Sequence, residues 1–285
     1  MTFSPWARLV PLLAVLGSVT ALGLGTSFAK QLFPVIGAQG TTALRVGFSA
    51  LLMVLFFRPW RYRIAREDLG FILRYGVALG LMNLLFYMSI RTIPFGLAVA
   101  IEFSGPLAVA MWGSRRPVDF VWLLLAVTGL GLLLPWQAGA DALDPVGVGY
   151  ALAAALSWAL YIVFGKRVGH LPTGLSVSLG LSCAALVVFP VGLVHAGTAL
   201  FSPAVLLFAL GVALVSSAIP ISLEMVALKR LPQAVFGILI SLEPAVAALL
   251  GLLLLHEQLS VLQWAAIGCI MAAAVGSSLT AAHHH

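Results

Sequence analysis

Two matching stretches decide the fold of this chain: IPFGLAVAIEFSGPLAVAMWG (residues 93–113) and LPQAVFGILISLEPAVAALLG (residues 231–251), which lie 138 residues apart. Each stretch opens with an aliphatic residue and a proline, carries one glutamate and a second proline in its middle, and ends in glycine. About 20 apolar residues are enough to cross a bilayer as a helix, and an internal proline interrupts such a helix. The two stretches therefore predict a pair of related, interrupted membrane helices, one in each half of the chain.

The composition of the whole chain agrees with a membrane protein. Of its 285 residues, 62% are hydrophobic and 8% are charged, and the mean hydropathy is +1.11. Soluble domains have about 45–50% apolar and about 25% charged residues, and disordered chains are poor in apolar residues, so both classes are excluded. The apolar stretches predict an all-α membrane protein with ten transmembrane helices, at residues 8–29, 38–57, 69–90, 94–112, 118–136, 146–165, 173–194, 203–227, 233–254 and 261–281.

The basic residues predict the orientation of these helices. With a cytoplasmic N-terminus, only Lys30 and Arg91 fall at the outer ends, and Arg45 lies within the second span. The inner ends and loops then collect Arg8, Arg58, Arg61, Arg63, Arg66, Arg74, Arg115, Arg116, Lys166, Arg167, Lys229 and Arg230. Such an excess marks the cytoplasmic side, so we expect a multi-pass inner-membrane protein with both termini in the cytoplasm. Because the cations are spread over short loops, a nucleic-acid partner is not indicated despite the net charge of +6.

The match between the two halves extends beyond the two stretches. At the same offset the further pairs are Arg91 with Lys229, Ala110 with Ala248, and Asp119 with Glu257. Near the start of each half, Phe28-Ala29-Lys30 resembles Phe164-Gly165-Lys166 at an offset of 136. We therefore expect two related units, residues 1–140 and 141–282. The closing residues 283–285 are three histidines that have the character of a purification-tag remnant.

The number of spans predicts how the two halves are arranged. Five spans in each half is an odd number, so the second half has to enter the membrane with the opposite orientation. The cations agree, since Arg91 falls outside and its counterpart Lys229 falls inside. Inverted repeats that pair interrupted helices near the midplane are the architecture of secondary transporters. The sequence thus predicts two inverted five-helix repeats around a central site.

Glutamates and helix-breaking residues lie together at the predicted centre of the bilayer. A carboxylate there, such as Glu102 or Glu243, costs about 2.5–3.5 kcal/mol on insertion scales unless it is protonated, paired or hydrated. We predict that each glutamate binds an ammonium group or exchanges a proton; the alternative is a hydrogen bond to backbone that a proline has freed. Gly105, Pro106 and Pro244 are predicted to form a hinge or a cavity wall, with a structural kink as the alternative.

Aromatic and polar residues in two other spans are candidates for a cavity lining. Asn83, Phe86 and Tyr87 lie in the third span, and Trp158 and Tyr161 lie in the sixth. The pairs Asn83–Tyr87 and Trp158–Tyr161 have the spacing of neighbours on one helix face. Ordinary packing or a lipid-interface belt is the alternative.

Three charged residues have two interpretations each. Arg45 and Lys30 either recognise a substrate carboxylate or extend along the helix to the membrane interface. Glu224 lies close to Lys229 and Arg230, so a structural ion pair near the inner surface is favoured over a role in transport.

No feature of the chain indicates an enzyme. There is no Walker A loop, no zinc-type histidine pair and no G-x-S-x-G nucleophile elbow, and no histidine lies in a predicted span. Cys183 and Cys269 have neither pairing nor metal-ligand spacing. We expect no metal and no cofactor. Transport would draw on a gradient, for which protons are one candidate, and not on ATP held by this chain.

Four segments resemble the threonine/homoserine exporters, which belong to the EamA branch of the drug/metabolite transporter superfamily. They are RTIPFGLAVAIEFSGPLAVAMWGSRRPVDFVW (residues 91–122), AKQLFP (residues 29–34), SLEMVALKRLP (residues 222–232) and FGILISLEPAVAALLG (residues 236–251). The resemblance implies a ten-helix inner-membrane amino-acid exporter with a central cavity between two inverted five-helix repeats. Threonine and homoserine, within a broader range of amino acids, would be the substrates.

Two other functions are compatible with the same pattern. One is an exporter of aromatic amino acids or drugs, because a sister branch of the superfamily exports aromatic amino acids. The other is a membrane channel or a lipid scramblase, which needs no pair of mutually exclusive gates. The oligomeric state does not follow from the sequence.

Overall fold

Helices make up the structure, a computed structural model that describes residues 5–112, 117–133, 143–228, 231 and 233–282. No strand occurs in these ranges. The α-helices are α1 (Pro5–Lys30), α2 (Phe33–Phe57), α3 (Arg66–Ser89), α4 (Phe95–Glu102), α5 (Ser104–Trp112), α6 (Pro117–Leu133), α7 (Pro145–Arg167), α8 (Thr173–Ala196), α9 (Pro203–Ala213), α10 (Ile219–Leu228), α11 (Gln233–Ile240), α12 (Glu243–Leu254) and α13 (Val261–Ala282). The predicted all-α class is confirmed.

Seven helical stretches of the described chain are long and apolar enough to cross a membrane. They are Val10–Lys30, Phe33–Phe57, Arg66–Ser89, Pro145–Arg167, Thr173–Phe201, Pro203–Glu224 and Val261–Thr280. Three shorter apolar stretches, Phe95–Val109, Phe120–Leu133 and Ile238–Leu254, fall where the fourth, fifth and ninth spans were predicted. The structure thus supports a multi-span membrane protein.

Both matched stretches are interrupted, but the break precedes the proline. The first divides into α4 and α5 at Phe103, and the second divides into α11 and α12 after Ile240. Pro106 is the third residue of α5 and Pro244 the second residue of α12. The first turn of a helix tolerates proline, because the missing N–H has no partner within that turn. The prolines therefore start new helices and do not bend continuous ones.

The two halves share their helix boundaries at this point. Helix α4 covers residues 95–102 and α11 covers residues 233–240, so that both ends differ by the same 138 residues. Helix α4 lies at the centre of the bundle, since all eight of its residues are buried. Its Gly96 packs against the backbone of Ala248 in α12, where a Cβ atom would lie 2.5 Å from the Ala248 Cα. The close approach of α4 to α12 therefore requires a glycine at position 96.

Several helix ends meet at one end of the bundle, called here the Lys30 end. The side chain of Lys30, at the end of α1, binds the loop that follows α12. The start of α7 packs through Gly147 against Thr92, which lies just before α4. The end of α8 packs through Gly192 against Ala43, near the start of α2. The Lys30 end thus contains the ends of α1, α8 and α12 and the starts of α2, α4 and α7.

One helix pair departs from the predicted single span at residues 203–227. A π-helical segment, Leu214–Ala218, separates α9 from α10. Such segments are short insertions into a helix and occur frequently at functional sites. The corresponding helix of the first half, α3, is continuous.

Candidate functional site

A cavity of about 340 Å³ lies between helices of both halves. Its lining includes one arginine and three carboxylates, together with polar and aromatic groups: Arg45, Glu102, Glu224, Glu243, Asn83 and Trp158. Of the sequence candidates, Asn83, Phe86, Trp158, Arg45, Glu102 and Glu243 line it. The structure brings these side chains together from α2, α3, α4, α7 and α12.

Arg45 is held in the cavity wall by neighbours on other helices. Its Nη1 donates to Asn83 Oδ1 at 2.5 Å and its Nε donates to Ser216 Oγ at 3.0 Å. The guanidinium carbon lies 5.3 Å from the centre of the Tyr87 ring, which is within cation–π range. Since a guanidinium has five N–H donors and these two bonds use two of them, donors remain for a ligand. A planar guanidinium held in one position can bind a carboxylate through two parallel N–H···O hydrogen bonds.

The two predicted glutamates face this cavity without a partner among the described residues. Glu102 ends α4 and is 7% exposed, whereas Glu243 begins α12 and is partly exposed. No hydrogen bond or ion pair joins either carboxylate to the part of the chain that the structure describes. The two carboxylates repel each other electrostatically, and Arg45 attracts Glu102. The pair forms an acidic region that can receive an ammonium group or protons.

Glu224 is a third carboxylate of the cavity. Its Oε1 accepts a hydrogen bond from Ser18 Oγ at 2.8 Å, which joins α10 to α1. The predicted partners Lys229 and Arg230 lie outside the described residues. The sequence signal for a cavity residue here is a glutamate in an apolar helix, four residues after Pro220. The ion pair with the two nearby cations stays a prediction.

Ser216 and Ser217, which the sequence reasoning missed, belong to the π-helical segment. Ser216 Oγ donates to Val212 O and accepts from Arg45. Ser217 Oγ lies 2.6 Å from Ser49 Oγ, and Ser49 donates to Arg45 O at 2.7 Å. If Ser49 gives its single proton to that carbonyl, Ser217 has to donate to Ser49, and the acceptor lone pairs of Ser217 remain free. Because Ser49 and Ser217 both line the cavity, these lone pairs are available to a ligand hydroxyl.

Of the remaining aromatic candidates, Trp158 lines the cavity, whereas Tyr87 and Tyr161 do not. Tyr87 is fully buried beside Arg45, and its hydroxyl has no hydrogen-bond partner among the described residues. Trp158 lines the cavity and packs edge-on against Phe103 at 5.5 Å between ring centres. Tyr161 stacks on Tyr75 at 4.8 Å, and the two hydroxyls are hydrogen-bonded at 3.2 Å. Tyr161 therefore belongs to a second, smaller pocket that Tyr75 also lines.

The other candidates have structural neighbours. Lys30 forms an ion pair with Glu257 at 2.5 Å and does not line the cavity. Gly105 approaches the backbone carbonyl of Ala155, where any Cβ atom would collide with it. Pro244 is buried, and Pro106 is partly buried. Within the described ranges, no group of three histidine, cysteine or acidic side chains could hold a metal ion.

Comparisons with known proteins agree with a transporter. Residues 145–279 match the model of the EamA-like transporter family. The chain is 49% identical to the threonine/homoserine exporter RhtA of Escherichia coli (strain K12) over 275 residues, which cover 96% of this chain and 92% of the relative. It is 48% identical to RhtA of Salmonella typhimurium (strain LT2) over 271 residues, 95% of this chain and 92% of the relative.

Two more distant relatives carry less information. The uncharacterized inner membrane transporter YedA of E. coli (strain K12) is 29% identical over 191 residues, 65% of this chain and 62% of the relative. A solved crystal structure superposes with a TM-score of 0.59 at 19% identity, covering 96% of this chain and 98% of that one, which shows a shared fold. The chain therefore belongs to the EamA-like transporter family, together with RhtA, and is a transporter and not an enzyme.

Proposed function

We propose that this chain exports amino acids, threonine and homoserine among them, across the inner membrane by alternating access. The observation that carries the proposal is the cavity between the two halves, which combines one fixed arginine with three carboxylates. The likeness to RhtA, whose name specifies threonine and homoserine, supports the choice of substrates. Breadth beyond these two is part of the proposal, because Phe86 and Trp158 give the cavity aromatic walls.

Two inverted five-helix repeats, residues 1–140 and 141–282, supply the moving parts in this proposal. The helix directions at the Lys30 end support it. Helix α1 ends there, whereas its counterpart α7 begins there. In the same way α2 begins at this end and its counterpart α8 ends there. The first interrupted helix begins there with α4, and the second ends there with α12. Matched elements thus run in opposite directions, as related halves of opposite membrane orientation would. The seven long helices and three shorter apolar stretches make up the ten spans.

The charges support an orientation with both termini in the cytoplasm. Exposed Arg58, Arg61 and Arg63 lie between α2 and α3, and exposed Arg66 begins α3, at the end of the bundle opposite Lys30. Lys166 and Arg167 at the end of α7 lie there as well. Because cytoplasmic loops carry the excess of lysine and arginine, the Lys30 end faces the periplasm in this proposal.

The chemistry of an amino acid fits the cavity. The α-carboxylate is assigned to the free donors of Arg45, which Asn83 and Ser216 hold in place. The α-ammonium group is assigned to the acidic region of Glu102 and Glu243. A zwitterion neutralises one arginine and one carboxylate, so the remaining carboxylates are free to carry protons. Proton antiport and facilitated diffusion therefore both fit, and the transport assay separates them.

Efflux of labelled threonine from proteoliposomes tests the proposal. We expect saturable transport, with acceleration by unlabelled threonine or homoserine on the opposite side. Stimulation by a pH gradient identifies proton antiport, and its absence identifies facilitated diffusion. The variant Arg45→Lys loses the planar fork, so its KM for threonine should rise about tenfold, whereas the matched control Arg91→Lys, exposed at the Lys30 end, should not change. Flux that never saturates and shows no counterflow would identify a channel and contradict the proposal.

A further inference from the structure

Glu257, in the loop between α12 and α13, binds two elements of the first half at once. Its Oε1 pairs with Lys30 Nζ at 2.5 Å, at the end of α1. Its Oε2 accepts a hydrogen bond from the backbone N–H of Phe95, the first residue of α4, at 2.7 Å. A single carboxylate of the second half therefore ties down both α1 and α4 at the Lys30 end.

The end of α12 is built to present this carboxylate. His256 has a φ of 56°, the left-handed conformation that commonly ends a helix. The N–H groups of Leu255 and Glu257 both donate to Gly251 O at 3.0 Å, so the chain turns back over the last helical turn. Gly251 leaves space for the carboxylate, since a Cβ atom there would lie 2.7 Å from Glu257 Oε2. These features hold Glu257 over the start of α4.

Glu257 supplies what α4 lacks locally. The residue before α4 is Pro94, which offers no side-chain cap. A carboxylate at a helix N-terminus binds a free N–H group and complements the helix dipole. Because the other end of α4 is Glu102, which lines the cavity, release of Glu257 would free the helix that carries a central carboxylate.

The same three parts recur in the other half of the chain. Asp119 precedes Glu257 by 138 residues, and Gln233, the first residue of α11, follows Phe95 by the same number. Lys166 corresponds to Lys30 at an offset of 136. In this structure Lys166 is exposed and forms no ion pair with a described residue. An acid, a cation and a helix start therefore recur in the other half, and the cation has no ion-pair partner among the described side chains.

We propose that these two sets are alternating locks: Glu257 with Lys30 and the Phe95 N–H closes the Lys30 end, and Asp119 with Lys166 and the Gln233 N–H closes the opposite end. The proposal rests on the proposed alternating access. Each conformation keeps one lock and opens the other, so the two have similar free energies, as repeated exchange between them requires. The structure corresponds to the conformation that is closed at the Lys30 end.

Thiol labelling from outside intact cells tests the exchange. The reporter is Thr26→Cys, which lines the cavity, in a chain whose Cys183 and Cys269 are replaced by alanine. Glu257→Gln keeps an oxygen for the Phe95 N–H but loses the ion pair, and Lys30→Met removes only the cation. We expect both variants to raise the labelling rate by a membrane-impermeant maleimide about tenfold, and Asp119→Asn to lower it.

The opposite signs separate a lock from a loss of folding, which would raise labelling in every variant. The double variant Glu257→Gln/Asp119→Asn should return to near the unsubstituted rate, and the matched control Glu67→Gln, an exposed carboxylate on α3, should leave the rate unchanged. Equal rates in Glu257→Gln, Lys30→Met and the unsubstituted chain, or a rise in both Glu257→Gln and Asp119→Asn, would overturn the proposal. The labelling assay needs no substrate. If the labelling rates follow the expected pattern and the chain does not transport threonine, the proposed locks stand and the proposed substrate is wrong.

Discussion

The two interrupted helices match in sequence, yet they hold their glutamates on opposite sides of the break. Glu102 is the last residue of α4, whereas Glu243 is the first residue of α12. A helix carries partial negative charge at its C-terminus and partial positive charge at its N-terminus. Glu102 therefore lies beside the partial negative charge at the end of α4, and Glu243 lies beside the partial positive charge at the start of α12. In the repeat Glu243 corresponds to Gly105, three positions from Glu102, and this shift places the two carboxylates on different sides of the break.

We propose from this difference that Glu243 is the carboxylate that pairs with the substrate's ammonium group. Glu102 is then the group that exchanges a proton. Arg45 attracts Glu102, so binding of a substrate carboxylate to Arg45 weakens that attraction and favours proton uptake by Glu102. Under this hypothesis, and where transport is coupled to protons, the two halves divide binding and coupling between them.

The largest expected effect comes from exchanging the two glutamates for glutamine. Glu243→Gln should lower threonine efflux and counterflow about 30-fold or more, because the substrate's ammonium group then loses the carboxylate that pairs with it. Glu102→Gln should abolish stimulation by a pH gradient and keep counterflow. Both transport modes are measured in proteoliposomes, with membrane insertion as the control. Identical losses in the two variants would contradict the division of tasks, and normal transport in both would remove the carboxylates from the mechanism.

A smaller effect is expected from the π-helical segment that only the second half contains. Threonine and valine have nearly the same shape, but threonine carries a hydroxyl group where valine carries a methyl group. The threonine hydroxyl can donate a hydrogen bond to Ser217 Oγ. Ser217→Ala should lower the preference for threonine over valine about fivefold, since a neutral hydrogen bond contributes about 1 kcal/mol. Competition of each amino acid with labelled threonine measures this preference. Ser222→Ala, an exposed serine bonded within α10, is the matched control, and an unchanged preference in Ser217→Ala would assign Ser217 to packing alone.

The smallest effect concerns the start of the second half. Asp144 precedes α7 and accepts hydrogen bonds from the N–H groups of Val146 and Gly147. A hydrogen bond from the Thr92 side chain is the main cause that lowers the pKa of this carboxyl, and these backbone bonds add to it. A lowered pKa in the folded state stabilises the fold above the unfolded pKa, and this contribution is lost as the pH falls through the folded value.

Asp144→Ala should therefore lower the melting temperature slightly at pH 7. The difference should vanish at a pH low enough to protonate Asp144 in the unsubstituted chain. Thermal unfolding in detergent at the two pH values measures it. Asp144→Asn, which keeps a capping oxygen, is the control. A difference between Asp144→Ala and the unsubstituted chain that persists at low pH would exclude the titration of Asp144 as its cause.

Much of the helical pattern was predictable, because the bilayer imposes length and apolarity on each span. The positions of the breaks were not, since proline disrupts the interior of a helix but is tolerated in its first turn, and the residue pattern does not distinguish the two. The π-helical segment carried no signal at all, because Leu214–Ala218 is as apolar as its flanks apart from two serines. The side chains of the cavity were predictable as buried polar groups, but not their partners.

Lys30 and Glu224 show why the partners of a charged side chain cannot be predicted from the sequence. Lys30 looked like a candidate for the substrate carboxylate, but its partner Glu257 lies 227 residues away. Glu224 accepts a hydrogen bond from Ser18, 206 residues away, and its ion pair with Lys229 or Arg230 stays a prediction. Contacts at such separations arise only when the helices pack.

The sequence alone determined that the chain is helical and apolar enough for a membrane, and that each of two matching stretches 138 residues apart carries a glutamate followed within four residues by a proline. Those properties depend on the hydrophobicity and length of segments, which are local. Only the tertiary structure decided which glutamate ends a helix and which begins one, that Arg45 meets Asn83 and Ser216, and that Glu257 caps α4 across the halves. Those contacts depend on how helices pack in three dimensions, because a charge buried in an apolar bundle is stable only beside the particular groups that packing brings to it.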